Sequence, residues 1–152
     1  MIDDLYSARL LTLAANMPRT GRLARPQATV EKVARPCGSR AVIDVRVENG
    51  LVVDYAHDVK ACALGQAAAA VVAANIVGAS VDAIESARDA FRAMLKAGGP
   101  PVVGRFAELG VLEPVRAFPE RHNSTLLVLE AAAEAARAAN CADARTPTAD
   151  AA

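Results

Sequence analysis

Residues 41–59 carry the pattern that most restricts the fold of this chain. Apolar and polar side chains alternate with a period of two on both sides of Asn49 and Gly50. Successive side chains of a β-strand point to opposite faces, so this alternation predicts two strands that each have one apolar face. An Asn-Gly pair between two such runs is a strong turn signal. The segment is therefore expected to form an antiparallel hairpin.

The register of the hairpin follows from which pairing keeps one face apolar. A two-residue turn with regular strands would place Val45 opposite Asp54 and would mix apolar and charged side chains. A three-residue loop, residues 48–50, pairs Val45 with Val53 and separates the two faces. We therefore expect the three-residue loop. Three carboxylates then fall on the solvent face, where they are not candidates for acid/base catalysis: Asp44, Asp54 and Asp58.

Segments on both sides of the hairpin predict one further strand and several helices. Residues 28–34 predict a short strand, and His57 on the apolar face of the hairpin is expected to be a hydrogen-bonded packing residue. Residues 63–77 are small and almost entirely apolar, and glycines and polar side chains interrupt the uncharged stretch around them. A helix buried against the sheet is therefore favoured over a membrane span. Further helices are predicted at residues 2–17, 81–95 and 125–139, and residues 105–112 predict a short helix or a turn.

Together these elements predict the fold class α+β. We expect a small, mostly antiparallel three-stranded sheet with helices packed chiefly on one face. The length of 152 residues suits one domain, which we assign to residues 1–139. The small and polar residues 140–152 predict a disordered C-terminal tail.

Composition excludes several classes of protein. The chain carries 17 Lys+Arg and 17 Asp+Glu, and 53% of its residues are hydrophobic. Such a balance argues against a disordered chain and against a strongly basic nucleic-acid binder. The acidic start lacks the features of a signal peptide, and three cysteines, an odd number, favour a reducing compartment over a disulfide framework. We therefore expect a cytoplasmic protein with no nucleic-acid or membrane partner.

The cysteines are the best candidates for chemistry, because the sequence contains no nucleotide-binding loop, serine nucleophile elbow or metalloprotease helix. Cys37 lies in a turn before the hairpin. Cys62 lies at the start of the apolar helix, where the helix dipole favours a thiolate. A strand–hairpin–helix unit could bring both sulfurs to one edge of the sheet. A buried and inert Cys62 is an equally open interpretation.

The histidine before the last helix, His122, is a weaker candidate. A lone histidine at such a position is usually a surface or capping residue. It becomes a candidate metal ligand only if the start of that helix packs beside the two cysteines. Cys141, near the C-terminus, is interpreted as a bystander.

The segments around Cys37 and Cys62 resemble the NifU/IscU-type family of iron–sulfur cluster assembly scaffolds. Pro36, Cys37 and Gly38 before the hairpin are similar to the first cysteine motif of that family. Residues 60–64 at the helix start are similar to the second. The resemblance extends in order over about residues 4–138, through residues 5–6, 16–21, 110–111 and 118–121.

Two departures from the family pattern concern the site. Ser39 stands where the family has an aspartate. The third cysteine is absent, and either Asn123 or Ser124 takes its place, depending on the alignment. His122 is adjacent in both alignments, and IscU-type members can carry a histidine there. The resemblance therefore implies a divergent member with a reduced ligand set of Cys37, Cys62 and His122.

The function that the resemblance implies is a non-enzymatic scaffold or carrier for iron or a transient iron–sulfur cluster, of which [2Fe–2S] is the favoured type. A cysteine desulfurase and acceptor apoproteins would be its partners, and a homo-oligomer is an open alternative. Two thiolates and an imidazole also suit zinc with an open fourth position. A zinc-bound sulfur acceptor in persulfide transfer, or a degenerate interaction module without metal, are the alternative functions.

Overall fold

The computed structural model describes residues 6–35 and 37–145 of the chain. Two 3₁₀ segments, Gly104–Ala117 and Pro119–Arg121, connect the third and fourth helices. The helices and strands are α1 (Ala8–Ala15), β1 (Ala28–Ala34), β2 (Ser39–Glu48), β3 (Leu51–Lys60), α2 (Ala63–Asn75), α3 (Val81–Lys96) and α4 (His122–Arg145).

The three strands form one antiparallel sheet in the order β1-β2-β3, so that β2 is central. Helix α4 packs across β1 and β2 and also contacts α2 and α3. Ile43 and Val45 of β2 are fully buried on this face. The structure confirms the predicted α+β class with a three-stranded sheet.

The turn of the hairpin differs from the predicted loop. Asn49 and Gly50 form a two-residue turn with φ values of 53° and 78°, and Glu48 pairs with Leu51. A β-bulge at Val53 then shifts the register by one residue. The predicted three-residue loop is therefore wrong. Alternation alone does not distinguish an extra residue in the loop from an extra residue in a strand.

The bulge determines which side chains enter the core. It places Tyr55 opposite Val45 and His57 opposite Ile43, so both rings lie on the helix-covered face. Val52, which precedes the bulge, is buried, while Val53 at the bulge is exposed. The apolar face is thus preserved, although by a different pairing from the predicted one.

Asp44 is fully buried, and its predicted position on the solvent face is wrong. The chain between α1 and β1 crosses the outer face of the sheet and covers this carboxylate. Its oxygens accept hydrogen bonds from Arg22 Nε at 2.6 Å, the Leu23 amide at 2.9 Å and the Thr29 hydroxyl at 2.6 Å. Burial raises the pKa of the Asp44 carboxyl, but these donors hold that pKa below its ordinary value.

His57 is buried on the apolar face, as predicted. Among the described residues, neither of its ring nitrogens nor the Tyr55 hydroxyl has a hydrogen bond of good geometry, although the Pro18 backbone acts on the imidazole as a hydrogen-bond partner. The two ring centroids are 5.6 Å apart. Burial lowers the pKa of the His57 imidazole. The backbone of His57 bonds to Arg19 O at 3.1 Å and to the Gly21 N–H at 2.8 Å, which holds the chain after α1 at the outer edge of β3.

Helix α2 is the buried helix that the apolar segment predicts. Its residues 67–73 are all nearly inaccessible to solvent, which confirms the core assignment. In the part of the chain that the structure describes, no helix combines the length and hydropathy needed to cross a membrane.

Two predicted boundaries change at the ends of the chain. Ser7 caps α1, because its hydroxyl oxygen accepts a hydrogen bond from the Leu10 amide at 3.2 Å. The predicted start of this helix, residues 2–5, lies outside the described residues. Helix α4 continues to Arg145, so residues 140–145 are helical and do not belong to a tail. Residues 146–152 lie outside the described residues, and the domain limits stay a prediction.

Candidate metal centre

Cys37 lies in the turn that joins β1 to β2, and its side chain is exposed. Gly38 adopts a φ of 79° in this turn and donates its amide to the Ala34 carbonyl at 2.8 Å. The Cys37 sulfur lies 3.5 Å from the same carbonyl oxygen and 3.3 Å from Ser39 Oγ. The turn therefore presents a thiol to solvent with a hydroxyl beside it.

The environment of Cys37 favours the thiolate. The Ser39 hydroxyl and backbone amide lower the pKa of the Cys37 thiol, and the Ser124 hydroxyl on α4 adds to this effect. The thiolate is the form of cysteine that binds metals and reacts with electrophiles. The departure from the family pattern at residue 39 thus puts a neutral hydrogen-bond donor next to the sulfur.

Cys62 is the N-cap residue of α2 and is half-buried. Its side chain makes no capping hydrogen bond, while its carbonyl accepts from the Gln66 amide at 2.9 Å. Arg40, near the start of β2, pairs with Lys60 at the end of β3. The turn before β2 that carries Cys37 and the segment after β3 that carries Cys62 therefore lie at the same end of the sheet.

The start of α4 lies at this end of the sheet as well. A Cβ atom added to Gly65 in α2 would lie 3.0 Å from the Ser124 carbonyl oxygen and 2.8 Å from the Ala61 Cβ. Glycine is therefore required for α2 and α4 to approach so closely. Ser124 thus lies against α2 through its carbonyl, and its hydroxyl donates to the Arg121 carbonyl at 3.2 Å.

His122 is the first residue of α4, and its ring is buried. The ring nitrogen Nε2 lies 3.1 Å from the Val115 carbonyl oxygen and 3.3 Å from the Arg116 carbonyl oxygen. Both neighbours can only accept hydrogen bonds, so Nε2 carries the proton. In the neutral ring the lone pair is then on Nδ1, which is the nitrogen that could bind a metal ion.

The predicted ligands do not form a preformed three-ligand site. Within residues 6–35 and 37–145, no group of three His, Cys, Asp or Glu side chains is placed to hold a metal ion. Cys37 and Cys62 lie on segments at one end of the sheet. His122 Nε2 is hydrogen-bonded to carbonyl oxygens of the first 3₁₀ segment. The individual roles of Cys37, Cys62 and His122 as ligands stay predictions. Cys141 is an exposed free thiol on α4.

Sequence reasoning missed the contribution of two hydroxyl groups to this site. Ser39 stands where the family has an aspartate, and Ser124 takes the place of the third cysteine in one of the two alignments, so sequence reasoning treated both only as losses. The Ser39 hydroxyl lies 3.3 Å from the Cys37 sulfur, whereas the Ser124 hydroxyl donates to the Arg121 carbonyl at 3.2 Å and makes the smallest contribution to the lowered pKa of the Cys37 thiol. The position of Ser39 directly after Gly38 in a tight turn was the available signal. For Ser124, the signal existed only in the packing of α4.

These features define a class of small α+β domain. It has a three-stranded antiparallel sheet with helices on one face, and two cysteine-bearing segments lie at one end of the sheet. The family model described as NifU-like N terminal domain matches residues 5–123. The chain therefore belongs to the NifU-like N-terminal domain family, as the resemblance predicts.

Solved structures agree with this assignment. The N-terminal part of a nitrogen-fixing NifU-like protein from Brucella abortus is 46% identical, with a TM-score of 0.89 over 91% of this chain and 96% of that one. A protein from Fervidobacterium islandicum, described as an iron–sulfur cluster assembly scaffold for the SUF system, is 18% identical. Its TM-score is 0.74 over 84% of this chain and 93% of that one. The second likeness concerns the fold alone. No curated protein matches the chain in sequence.

Proposed function

We propose that this protein is a scaffold or carrier in iron–sulfur cluster assembly. Its cargo would be iron or a transient cluster, favoured as [2Fe–2S], bound through the thiolates of Cys37 and Cys62. The observation that carries the proposal is the exposed Cys37 thiol, whose sulfur lies 3.3 Å from the Ser39 hydroxyl, in a turn at the same end of the sheet as the segment that carries Cys62. Membership of the NifU-like family supports it.

The donor set suits brief rather than permanent binding. Thiolates are soft ligands that select iron–sulfur clusters and zinc over hard cations. Two thiolates hold a cluster less firmly than a complete set of protein ligands, and His122 Nδ1 is the candidate for a third bond. The protein would act without catalysing a reaction, in the cytoplasm, with a cysteine desulfurase and acceptor apoproteins as partners. Nucleic acids and membranes would not be partners.

Anaerobic reconstitution tests the proposal. Purified protein is incubated with ferrous iron and sulfide, and visible absorption and circular dichroism record thiolate-to-iron charge-transfer bands. Cys37→Ser and Cys62→Ser should each lose most of the signal. Cys141→Ser is the matched control, because that cysteine is also exposed but lies on α4. An absence of bands in the wild type would contradict the proposal, as would an equal loss in all three variants.

The zinc alternative predicts a different metal content. A thiolate pair with an imidazole nitrogen also matches tetrahedral zinc that keeps a position open for a persulfide. Metal analysis of freshly purified protein separates the two functions, because one zinc per chain without iron favours the sulfur acceptor. In a degenerate interaction module, replacement of both cysteines by serine would leave the cellular role intact.

A further inference from the structure

Strand β1 has an open edge. The strand order is β1-β2-β3, so β2 lies on one side of β1 and the sheet ends on the other. The outer edge of β3 is bridged by Thr20 and Ser80, but within residues 6–35 and 37–145 no chain pairs with the outer edge of β1. This edge is therefore free to accept a further strand.

The hydrogen bonds of the sheet determine which residues of β1 face the open edge. In an antiparallel pair, successive residues alternate between bonding to that partner strand and turning their N–H and C=O groups away from it. The backbone of His57 on β3 bonds to the segment after α1, so its partner Ile43 on β2 bonds to β1, where Val30 lies opposite. Every second residue from Val30 then bonds to β2. The residues that point their backbone groups outward are Thr29, Glu31 and Val33.

The surroundings of the open edge leave these groups accessible. Among the described residues, none bonds to the outward backbone groups, and all three outward residues are exposed. Val30 faces α4 but is only half-buried, whereas Ile43 opposite it is fully buried. Helix α4 therefore does not close the edge. Unpaired N–H and C=O groups of this kind bind extended peptides in β-augmentation.

A groove of about 340 Å³ adjoins the open edge, between the end of β1 and the first turns of α4. Ala34 and Leu127 contribute apolar surface to it. Lys32 and Glu130 also line it, but each is already held in an ion pair with a residue outside the groove, at 3.2 Å and 2.6 Å. Because these charges have partners, the groove suits an uncharged side chain of a segment that lies along β1.

The sequence of β1 disfavours a second copy of the chain as the occupant. Two copies related by a twofold axis would pair their β1 strands antiparallel. The register that uses all three outward residues centres on Glu31 and places this carboxylate opposite its own copy, where like charges are destabilising. A segment of different sequence avoids this pairing.

We propose that the open edge of β1 is a docking surface for an extended segment of a partner protein, which adds to the sheet as a fourth strand. Its backbone bonds to the three outward residues, and one of its uncharged side chains occupies the groove. Strand β1 leads directly into the turn with Cys37, whose sulfur lies 3.5 Å from the Ala34 carbonyl oxygen. The partner is thus held beside the cysteine site. Docking itself requires no metal, so its test is independent of the proposed function.

Amide hydrogen exchange of the metal-free protein tests the geometry of the edge. The amides of Val30 and Lys32 should exchange slowly, because they donate to β2. Those of Thr29, Glu31 and Val33 should exchange at least about tenfold faster, because they face solvent. Equal protection along the strand would show that the edge is already paired and would overturn the proposal.

A synthetic peptide with blocked ends, in which valine alternates with threonine or arginine, serves as the probe for the partner segment. Its titration should give saturable amide shifts in NMR, largest in β1, and should slow the exchange of the three outward amides. Two N-methylated forms are the matched controls, one blocked at the valine amides and one at the intervening amides. Only one of these sets can face β1, so one form should lose binding while the other keeps it. Equal behaviour of the two forms, or shifts that avoid β1, would overturn the proposal.

Substitutions at Val33 test the same contact on the protein. Val33→Pro removes one outward N–H and leaves the bonds to β2 in place, because proline is tolerated on edge strands. It should weaken binding of the peptide by at least about tenfold. Val33→Thr keeps the N–H and the branched side chain, and it should leave the binding unchanged. Equal effects of the two substitutions would overturn backbone recognition at this edge, and the N-methylated peptides decide if Val33→Pro does not fold.

Light scattering separates the partner segment from a second copy. The oligomeric state should be the same in the wild type and in Val33→Pro. A dimer that this substitution converts into a monomer would assign the edge to a second copy and would overturn the proposal. Failed cluster reconstitution with retained peptide binding would disprove the proposed function alone, whereas absent peptide binding with intact reconstitution would disprove the docking surface alone.

Discussion

Arg22 Nε lies 2.6 Å from the Asp44 carboxylate, which is fully buried on the outer face of the sheet. The arginine side chain itself is 53% exposed, so the pair joins a buried anion to a cation at the surface. With the Leu23 amide and the Thr29 hydroxyl, Arg22 completes the hydrogen bonding of the carboxylate. The chain between α1 and β1 is thereby held over the face that the helices leave uncovered.

Replacement of Asp44 should be strongly destabilising. Asp44→Ala leaves the Leu23 amide and the Thr29 hydroxyl without their acceptor, and we expect a loss of about 2–3 kcal/mol in the free energy of unfolding. Asp58→Ala on β3 is the control, because this carboxylate is exposed, and it should cost less than about 0.5 kcal/mol. Urea denaturation measures both. Similar losses would show that the buried network does not stabilise the fold.

Acid should destabilise the protein through His57. Burial lowers the pKa of this imidazole in the folded state, so the unfolded chain binds the proton more readily. The free energy of unfolding should be highest above about pH 6.5 and should fall as the pH decreases below that value, by at most about 1.4 kcal/mol per unit. His57→Phe should remove this dependence. Parallel pH profiles for both proteins, from thermal or urea unfolding, would disprove it.

Gly65→Ala should disrupt the approach of α2 to α4. The new methyl group would lie 3.0 Å from the Ser124 carbonyl oxygen and 2.8 Å from Ala61 Cβ, which the backbone can relieve only by moving. We expect a destabilisation of about 1–3 kcal/mol, despite the better helix propensity of alanine. Gly110→Ala is the control, since its nearest neighbour would be 3.9 Å away. Thermal unfolding of both variants should show a lower Tm for Gly65→Ala alone.

Ser39→Ala should make Cys37 less reactive. The Ser39 hydroxyl makes the largest contribution to the lowered pKa of the Cys37 thiol. Its removal should therefore raise that pKa and decrease the thiolate fraction near neutral pH. Alkylation by iodoacetamide at pH 7 should slow severalfold, and its pH profile should move to higher pH. Ser86→Ala on α3 should leave the rate unchanged. Mass spectrometry of the peptide that contains Cys37 gives the rate, and an unshifted profile would contradict the prediction.

The sequence predicted the parts of the fold that depend on local periodicity. The alternation in residues 41–59 indicated the hairpin, and the unbroken run of small apolar residues indicated the buried helix α2. It did not predict the bulge at Val53, because one extra strand residue leaves the alternation of the flanking residues intact. The burial of Asp44 was also hidden, since its three donors come from segments 15 to 22 residues away along the chain.

For the candidate site, the sequence by itself determined which residues can supply sulfur and on which elements they lie. Cys37 in a turn and Cys62 at a helix start follow from local signals and from the family resemblance. Only the tertiary structure decided their surroundings. The docking of α4 on the sheet places the Ser124 carbonyl against Gly65 of α2 and commits His122 Nε2 to two carbonyls. Contacts between distant segments depend on packing, and periodicity in one segment carries no information about them.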